Sequence, residues 1–203
     1  MERQYAPLPN ERVFFTSDLH FNHRRIIEYT QRPFGSVEEM NEALIERFNE
    51  TVGPTDTVYI LGDLVLGKDL RCAERLNGRK ILLMGNHDRV QPEAYEAIGI
   101  EVVRGRGVKA KEFWYDGYRI VHSPVPVIRE AYLTMNDMPA GYRDAQRRGI
   151  LDGIASRCVC GHVHRVFRKV GKFVNVSVDV WDYRPASWEA VREAFLEPDS
   201  LFT

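Results

Sequence analysis

Eight side chains able to hold a metal ion fall at or just beyond short apolar runs of this 203-residue chain: Asp18, His20, Asp63, Asn86, His87, His122, His162 and His164. In Asp18-Leu-His20 and His162-Val-His164 two donors stand two residues apart. Extended backbone would send residues i and i+2 to one side, so each pair would converge on one point. Imidazole combined with carboxylate suits borderline divalent ions such as zinc, manganese, iron or nickel, whereas calcium and magnesium favour oxygen alone. Gly62 precedes Asp63 and Gly85 precedes Asn86, as expected where a backbone turns sharply or comes close to an ion. Any one of these residues alone reads more readily as a satisfied turn residue. Eight of them at five successive strand ends, in a chain with six histidines, point instead to a metal centre.

Short elements must bring those ends together. Residues 13–17 (VFFTS), 57–61 (TVYIL) and 80–84 (KILLM) are apolar runs rich in strand formers. Between them, Ser36-Val-Glu-Glu39 reads as a capping box, with Ser36 capping and Glu39 reaching back. Val37, Met40, Leu44 and Phe48 then repeat at helical spacing, which predicts an amphipathic helix over 36–50, ended by Gly53-Pro54. A second helix is expected over about 67–77, stopped at Asn77-Gly78. The alternation predicts a parallel sheet covered on both faces, with ligands at the carboxyl ends of its strands. Further on, 108–115 and 118–123 around Asp116-Gly117 read as a hairpin. Short strands follow at 158–162, 166–170 and 172–176, and a last helix at 187–196. A long polar stretch around 124–156, with one helix near 142–150, reads as a lid-like insertion in a single domain spanning 1–203.

The ordered blocks D-x-H (18–20), G-D (62–63), G-N-H-D (85–88), H (122) and G-H-x-H (161–164) resemble the calcineurin-like metallophosphoesterases over about residues 13–180. That resemblance implies an α/β fold, a four-layer α-β-β-α sandwich of two mixed sheets. It also implies two divalent transition-metal ions, manganese first, with iron, zinc or nickel as alternatives. One would be held by Asp18, His20, Asp63 and His164. The other would be held by Asp63, Asn86, His122 and His162, with Asp63 bridging. Two dications against two carboxylates make a positive well for phosphate. Ions about 3.5–4 Å apart generate a hydroxide between them, which attacks phosphorus in line. His87 is the candidate acid for the leaving group, with Asp88 to orient it.

Departures from the family pattern narrow the reading. Phe21 follows His20, and the second block runs Gly62-Asp63-Leu-Val-Leu-Gly67 with neither a further Asp nor an Arg, which counts against a protein Ser/Thr phosphatase. The chain looks more like small, stand-alone bacterial or phage phosphoesterases, many of which prefer diesters. The expected activity is therefore hydrolysis of a nucleotide or small organic phosphodiester, with a phosphomonoesterase or a nuclease from the same site as alternatives. Every ligand position is filled, which speaks against a non-catalytic module.

His23, Arg24 and Arg25 follow the first block, and a helix starting near Asn22 would aim them at a substrate phosphate. Cys158 and Cys160 lie on one face of a strand and read as small buried hydrophobes, with spacing wrong for a zinc finger. Trp181, Tyr183 and Arg184 read chiefly as packing of a closing segment, and a base-stacking pocket is the alternative. A net charge of −1 points to a small phosphorylated substrate and away from extended nucleic acid, although Arg143, Arg147 and Arg148 leave a local patch open. No apolar run approaches the roughly 20 residues of a membrane span, and the first residues carry no export pattern. With three unevenly placed cysteines, the chain is expected in the cytoplasm. Its oligomeric state stays open.

Overall fold

The structure is a computed structural model that describes residues 6–7, 11–104, 112–124 and 156–201. Its first half runs β1 (Val13–Thr16), α1 (Arg24–Tyr29), α2 (Val37–Thr51), β2 (Thr57–Ile60), α3 (Arg71–Glu74), β3 (Arg79–Leu82), α4 (Pro92–Ala97) and β4 (Ile100–Val102). There follow β5 (Glu112–Tyr115), β6 (Tyr118–Val121), β7 (Cys158–Cys160), β8 (Phe167–Val170) and β9 (Phe173–Asn175). A 3-10 turn at Val178–Val180 leads to β10 (Ala186–Ser187), α5 (Trp188–Ala194) and β11 (Ser200–Leu201). Two mixed sheets result, ordered β10-β1-β2-β3-β4 and β11-β8-β9-β7-β6-β5. In the first, β1 to β4 run parallel and β10 joins β1 antiparallel.

Alternation along the strands assigns the faces. Phe14, Val58, Ile60 and Leu82 pack with Met40, Leu44, Ile45 and Phe48 of α2. Their neighbours Val13, Phe15, Tyr59, Ile81 and Leu83 pack instead with Ile120, Val159, Val174 and Val176 of the second sheet. Phe15 and Tyr59 stack there with ring centroids 5.1 Å apart. The first sheet is thus covered by helices on one face and by the other sheet on the opposite one. Each fully buried Leu, Ile, Val or Phe adds about 1.5–3 kcal/mol relative to exposure. That burial fixes the strand ends on which the site is built.

Several expectations change in detail. Ser36 Oγ accepts from Glu39 N at 3.1 Å, but the Glu39 carboxylate reaches one residue further back and takes the Gly35 N–H at 2.7 Å. The helix expected over 67–77 shrinks to the four residues of α3. On its N-terminal side Asp69 captures both the backbone N–H and the guanidinium of Arg71. Beyond its end, Asn49 accepts from Asn77 N at 2.8 Å and Asn77 Nδ2 donates to Val52 O at 3.2 Å, bonds that replace further helical turns. α4 and β4 were not anticipated and extend the parallel sheet by one strand. Asp116 and Gly117 both have positive φ (48° and 78°), the requirement of the two-residue turn that closes the β5–β6 hairpin. The expected lid-like stretch from 125 to 155, its helix near 142–150 and its three arginines lie outside the described residues, as do 108–111 of the hairpin.

Candidate metal centre

The turns after β1 and β2 are zipped together by backbone bonds: Asp18 N to Gly62 O (3.0 Å), His20 N to Asp63 O (2.9 Å) and Phe21 N to Leu64 O (3.0 Å). Extended backbone is not what makes the paired donors converge. Asp18, His20, Asp63, His162 and His164 all adopt left-handed φ, at 59°, 52°, 54°, 69° and 45°. Left-handed residues on either side of Leu19, and again of Val163, curl the chain around a common point. Such conformations cost about 1–3 kcal/mol each for non-glycine residues and persist where the surroundings over-determine them. Two glycines permit the close approach. A Cβ on Gly62, whose φ is +89°, would stand 2.6 Å from His122 Nδ1. One on Gly85 would collide with the Asp63 carboxylate.

The donors form two groups. Potential ligand atoms of Asp18, His20 and His164 all lie within 4.8 Å of one another, and so do those of Asp63, His122 and His162. Asp63 Oδ2 faces both groups, 3.5 Å from His20 Nε2 and 3.6 Å from His122 Nε2. His162 N donates to Asp18 Oδ2 at 2.8 Å. Asp18 Oδ1 and both ring nitrogens of His20 remain buried with no hydrogen-bond partner among the described residues. Buried polar atoms left unpaired are costly, and a cation would satisfy Asp18 Oδ1 and the one His20 nitrogen that carries the lone pair. The second group tells the same story. Leu61 O, 2.6 Å from His122 Nδ1, can only accept, so that nitrogen carries the proton. The His122 Nε2 lies 2.9 Å from Asn86 Oδ1, so two candidate ligand atoms of this group converge on one point. The donor set fits a pair of divalent ions.

Burial shapes the protonation states. It drives His20 down to about 2 and His162 to about 4, leaving both imidazoles neutral with lone pairs free at pH 7. It lifts Asp63 to about 6. At Asp18 burial also pushes upward, but His164, His122 and His20 outweigh it and hold the carboxyl below its ordinary range.

The remaining expected residues divide. His87 donates its backbone N–H to Asp63 Oδ1 at 2.8 Å, and its ring centroid lies 5.2 Å from that of His20. Asp88, expected to orient His87, accepts from the backbone of Asp63 (2.7 Å), Leu64 (3.0 Å) and Gly85 (2.8 Å) and from the Tyr95 hydroxyl (3.1 Å). Those bonds make it a brace for the Asp63 turn. His23 stands beside the centre, its ring 5.3 Å from that of His20, and caps α1 by accepting from Ile26 N at 2.9 Å. The Asn22 side chain accepts from Asn41 Nδ2 at 2.8 Å. Arg24 and Arg25 are exposed, Arg25 lies over the Tyr29 ring at 5.1 Å, and neither bonds to the site among the described residues. Cys158 and Cys160 are free, buried thiols outside both donor groups. Trp181 and Tyr183 pack, Trp181 donating to Asn175 O at 2.7 Å and Tyr183 lying edge-on to Phe34.

Two residues of the frame escaped sequence reasoning. Arg32 donates to Asp18 O (2.7 Å) and Leu19 O (2.9 Å) and pairs with Asp179 through Nε (2.9 Å) and Nη2 (3.0 Å). Asp179 also lies 2.8 Å from His164 Nδ1. Arg32 stands 14 residues after Asp18, and Asp179 stands 15 after His164. No local spacing signals either role.

The family described as Calcineurin-like phosphoesterase matches residues 11–166, which contain all five ligand blocks. The chain belongs to that family. An uncharacterized protein of Methanocaldococcus jannaschii is 31% identical over 194 residues, covering 89% of each chain. The Gene 66 protein of Mycobacterium phage L5 is 37% identical over 96 residues, 43% of this chain and 46% of the phage protein. A solved structure of a protein of unknown function from Aquifex aeolicus aligns with a TM-score of 0.61 at 26% identity, covering 91% of this chain and 99% of that one.

Proposed function

We propose that this phosphoesterase is a two-metal phosphodiesterase acting on a nucleotide or small organic diester. The position of Asp63 Oδ2, 3.5 Å from His20 and 3.6 Å from His122, carries the reading, because one carboxylate serves both donor groups. Asp18, His20, Asp63 and His164 would hold one ion, and Asp63, Asn86, His122 and His162 the other. Such a donor set suits borderline metals, manganese first, which when bound would supply a nucleophile at neutral pH and positive charge against the phosphate. His87 stands at the edge of the centre to hand a proton to the departing alkoxide. His23, its ring 5.3 Å from that of His20, is the side chain next to the centre that would meet a substrate. Asp88 keeps the Asp63 turn in place.

Preference for a diester is supported by how the charges are spent. A monoester brings a second negative charge. Arg32, the guanidinium bonded to the site's backbone, is fully buried and committed to Asp179, so it is not offered to that charge. The three cysteines are free, in keeping with a cytoplasmic protein. No helix among the described residues is long and apolar enough to cross a membrane.

Manganese-loaded protein should hydrolyse a bis-aryl phosphate with at least about tenfold higher kcat/KM than the mono-aryl phosphate, which is about 1.4 kcal/mol of transition-state binding. The reverse order would assign a phosphomonoesterase. Faster cleavage of a short oligonucleotide than of either would assign a nuclease.

A further inference from the structure

Arg32 and Asp179 are both fully buried in their side chains, yet neither lies among the donors. Buried ion pairs are poor sources of net stability, since desolvation offsets most of the attraction. What this pair touches suggests another use. Arg32 reaches the carbonyls of Asp18 and Leu19, inside the first left-handed turn, at 2.7 and 2.9 Å. Asp179 receives the guanidinium at 2.9 and 3.0 Å, the Ser177 hydroxyl at 3.0 Å, and the His164 ring at 2.8 Å. One pair thus ties the turn after β1 to the turn after β7.

We propose that Arg32 and Asp179 are positioning residues for the half of the centre formed by Asp18, His20 and His164. The proposal rests on the two-metal reading above. A carboxylate only accepts, so His164 Nδ1 carries the proton and donates it to Asp179. That leaves the Nε2 lone pair on the side of Asp18 Oδ1, 4.0 Å away. A carboxylate partner also makes an imidazole a more basic ligand. In the other half, His122 Nδ1 donates to a neutral carbonyl, Leu61 O, and no carboxylate bonds a histidine's outer nitrogen among the bonds of the described residues. Losing Asp179 should therefore weaken one metal position and spare the other.

The test is calorimetric titration of Mn²⁺ into metal-free wild type, Asp179→Asn, and the charge-balanced Arg32→Met/Asp179→Asn, with thermal melts to show folding. Wild type should bind two ions. Each folded variant should lose about 10–100-fold affinity in one binding event and keep the other within about twofold. Folded variants that match wild type in both events would overturn the proposal alone, whereas a wild type that binds no metal would overturn the two-metal reading and this proposal with it. Nitrogen-15 spectra of zinc-loaded wild type give a readout that needs no variant. They should show His164 protonated at Nδ1 with that proton protected from exchange, and protonation at Nε2 would overturn the assignment.

Discussion

His87 belongs to neither donor group, yet its backbone bond to Asp63 Oδ1 at 2.8 Å fixes it to the carboxylate they share. Replacing it should leave the metals in place and remove only a proton donor. His87→Ala is expected to bind two ions as wild type does and to lose about 10²–10⁴ in kcat on diesters with poor, alkyl-type leaving groups. A nitrophenolate, which departs without a proton, should lose far less. Equal losses across a leaving-group series would remove the acid role. At this scale the sequence was informative about identity and poor about geometry. Asp18, His20, Asp63, His122, His162 and His164 are legible because each terminates an apolar run, and the structure brings them together. The conformation that gathers them is not legible, because nothing in Asp-Leu-His or His-Val-His announces two left-handed residues. Asp88 also shows the limit. Its adjacency to His87 is visible in the sequence, whereas the three backbone N–H groups its carboxylate accepts from, 25, 24 and 3 residues away, are not.

Elements were readable in proportion to their length. α2 carries a helical apolar period from Val37 to Phe48 and a Ser36 cap, and it stands where expected. β4, with three residues and a glutamate in the middle, has too little pattern to detect, and the two residues of β10 have less. α3 was overextended because tertiary bonds from Asn49, invisible to any local window, took over the backbone beyond its end. The capping bond of α2 is local and should be separable from the chemistry. Ser36→Ala removes the acceptor of Glu39 N and should cost about 0.5–2 kcal/mol in denaturant unfolding. The Asn41 side chain on that helix holds Asn22, close in sequence to His20, yet the burial of Met40, Leu44 and Phe48 keeps α2 seated. Metal content and kcat should therefore match wild type. A variant that loses metal along with stability would show that the helix start and the centre unfold as one unit.

Across the whole molecule, each donor group draws on both sheets. Asp18 and His20 follow β1 of the first sheet, while His164 follows β7 of the second; Asp63 follows β2, while His122 and His162 follow β6 and β7. An ion in either position would clamp one sheet to the other at the end of the shared core. The formal charge of −1 for the whole chain hides this, because the charge that matters is local and arrives with the metal. Without metal, buried Asp18 Oδ1 and the lone-pair nitrogen of His20 have no hydrogen-bond partner among the described residues, and the strained left-handed turns rely on their own hydrogen bonds. Metal should therefore stabilise the fold as well as activate it. Free Mn²⁺ at about 100 times its Kd adds about 2.7 kcal/mol, which for a chain of this size raises Tm by about 5–11 °C. Chelation should return that difference, and Asp63→Asn, which weakens the ligand common to both groups, should lose most of it. A Tm that neither manganese nor a chelator moves would mean that the two sheets are held by their apolar contacts alone.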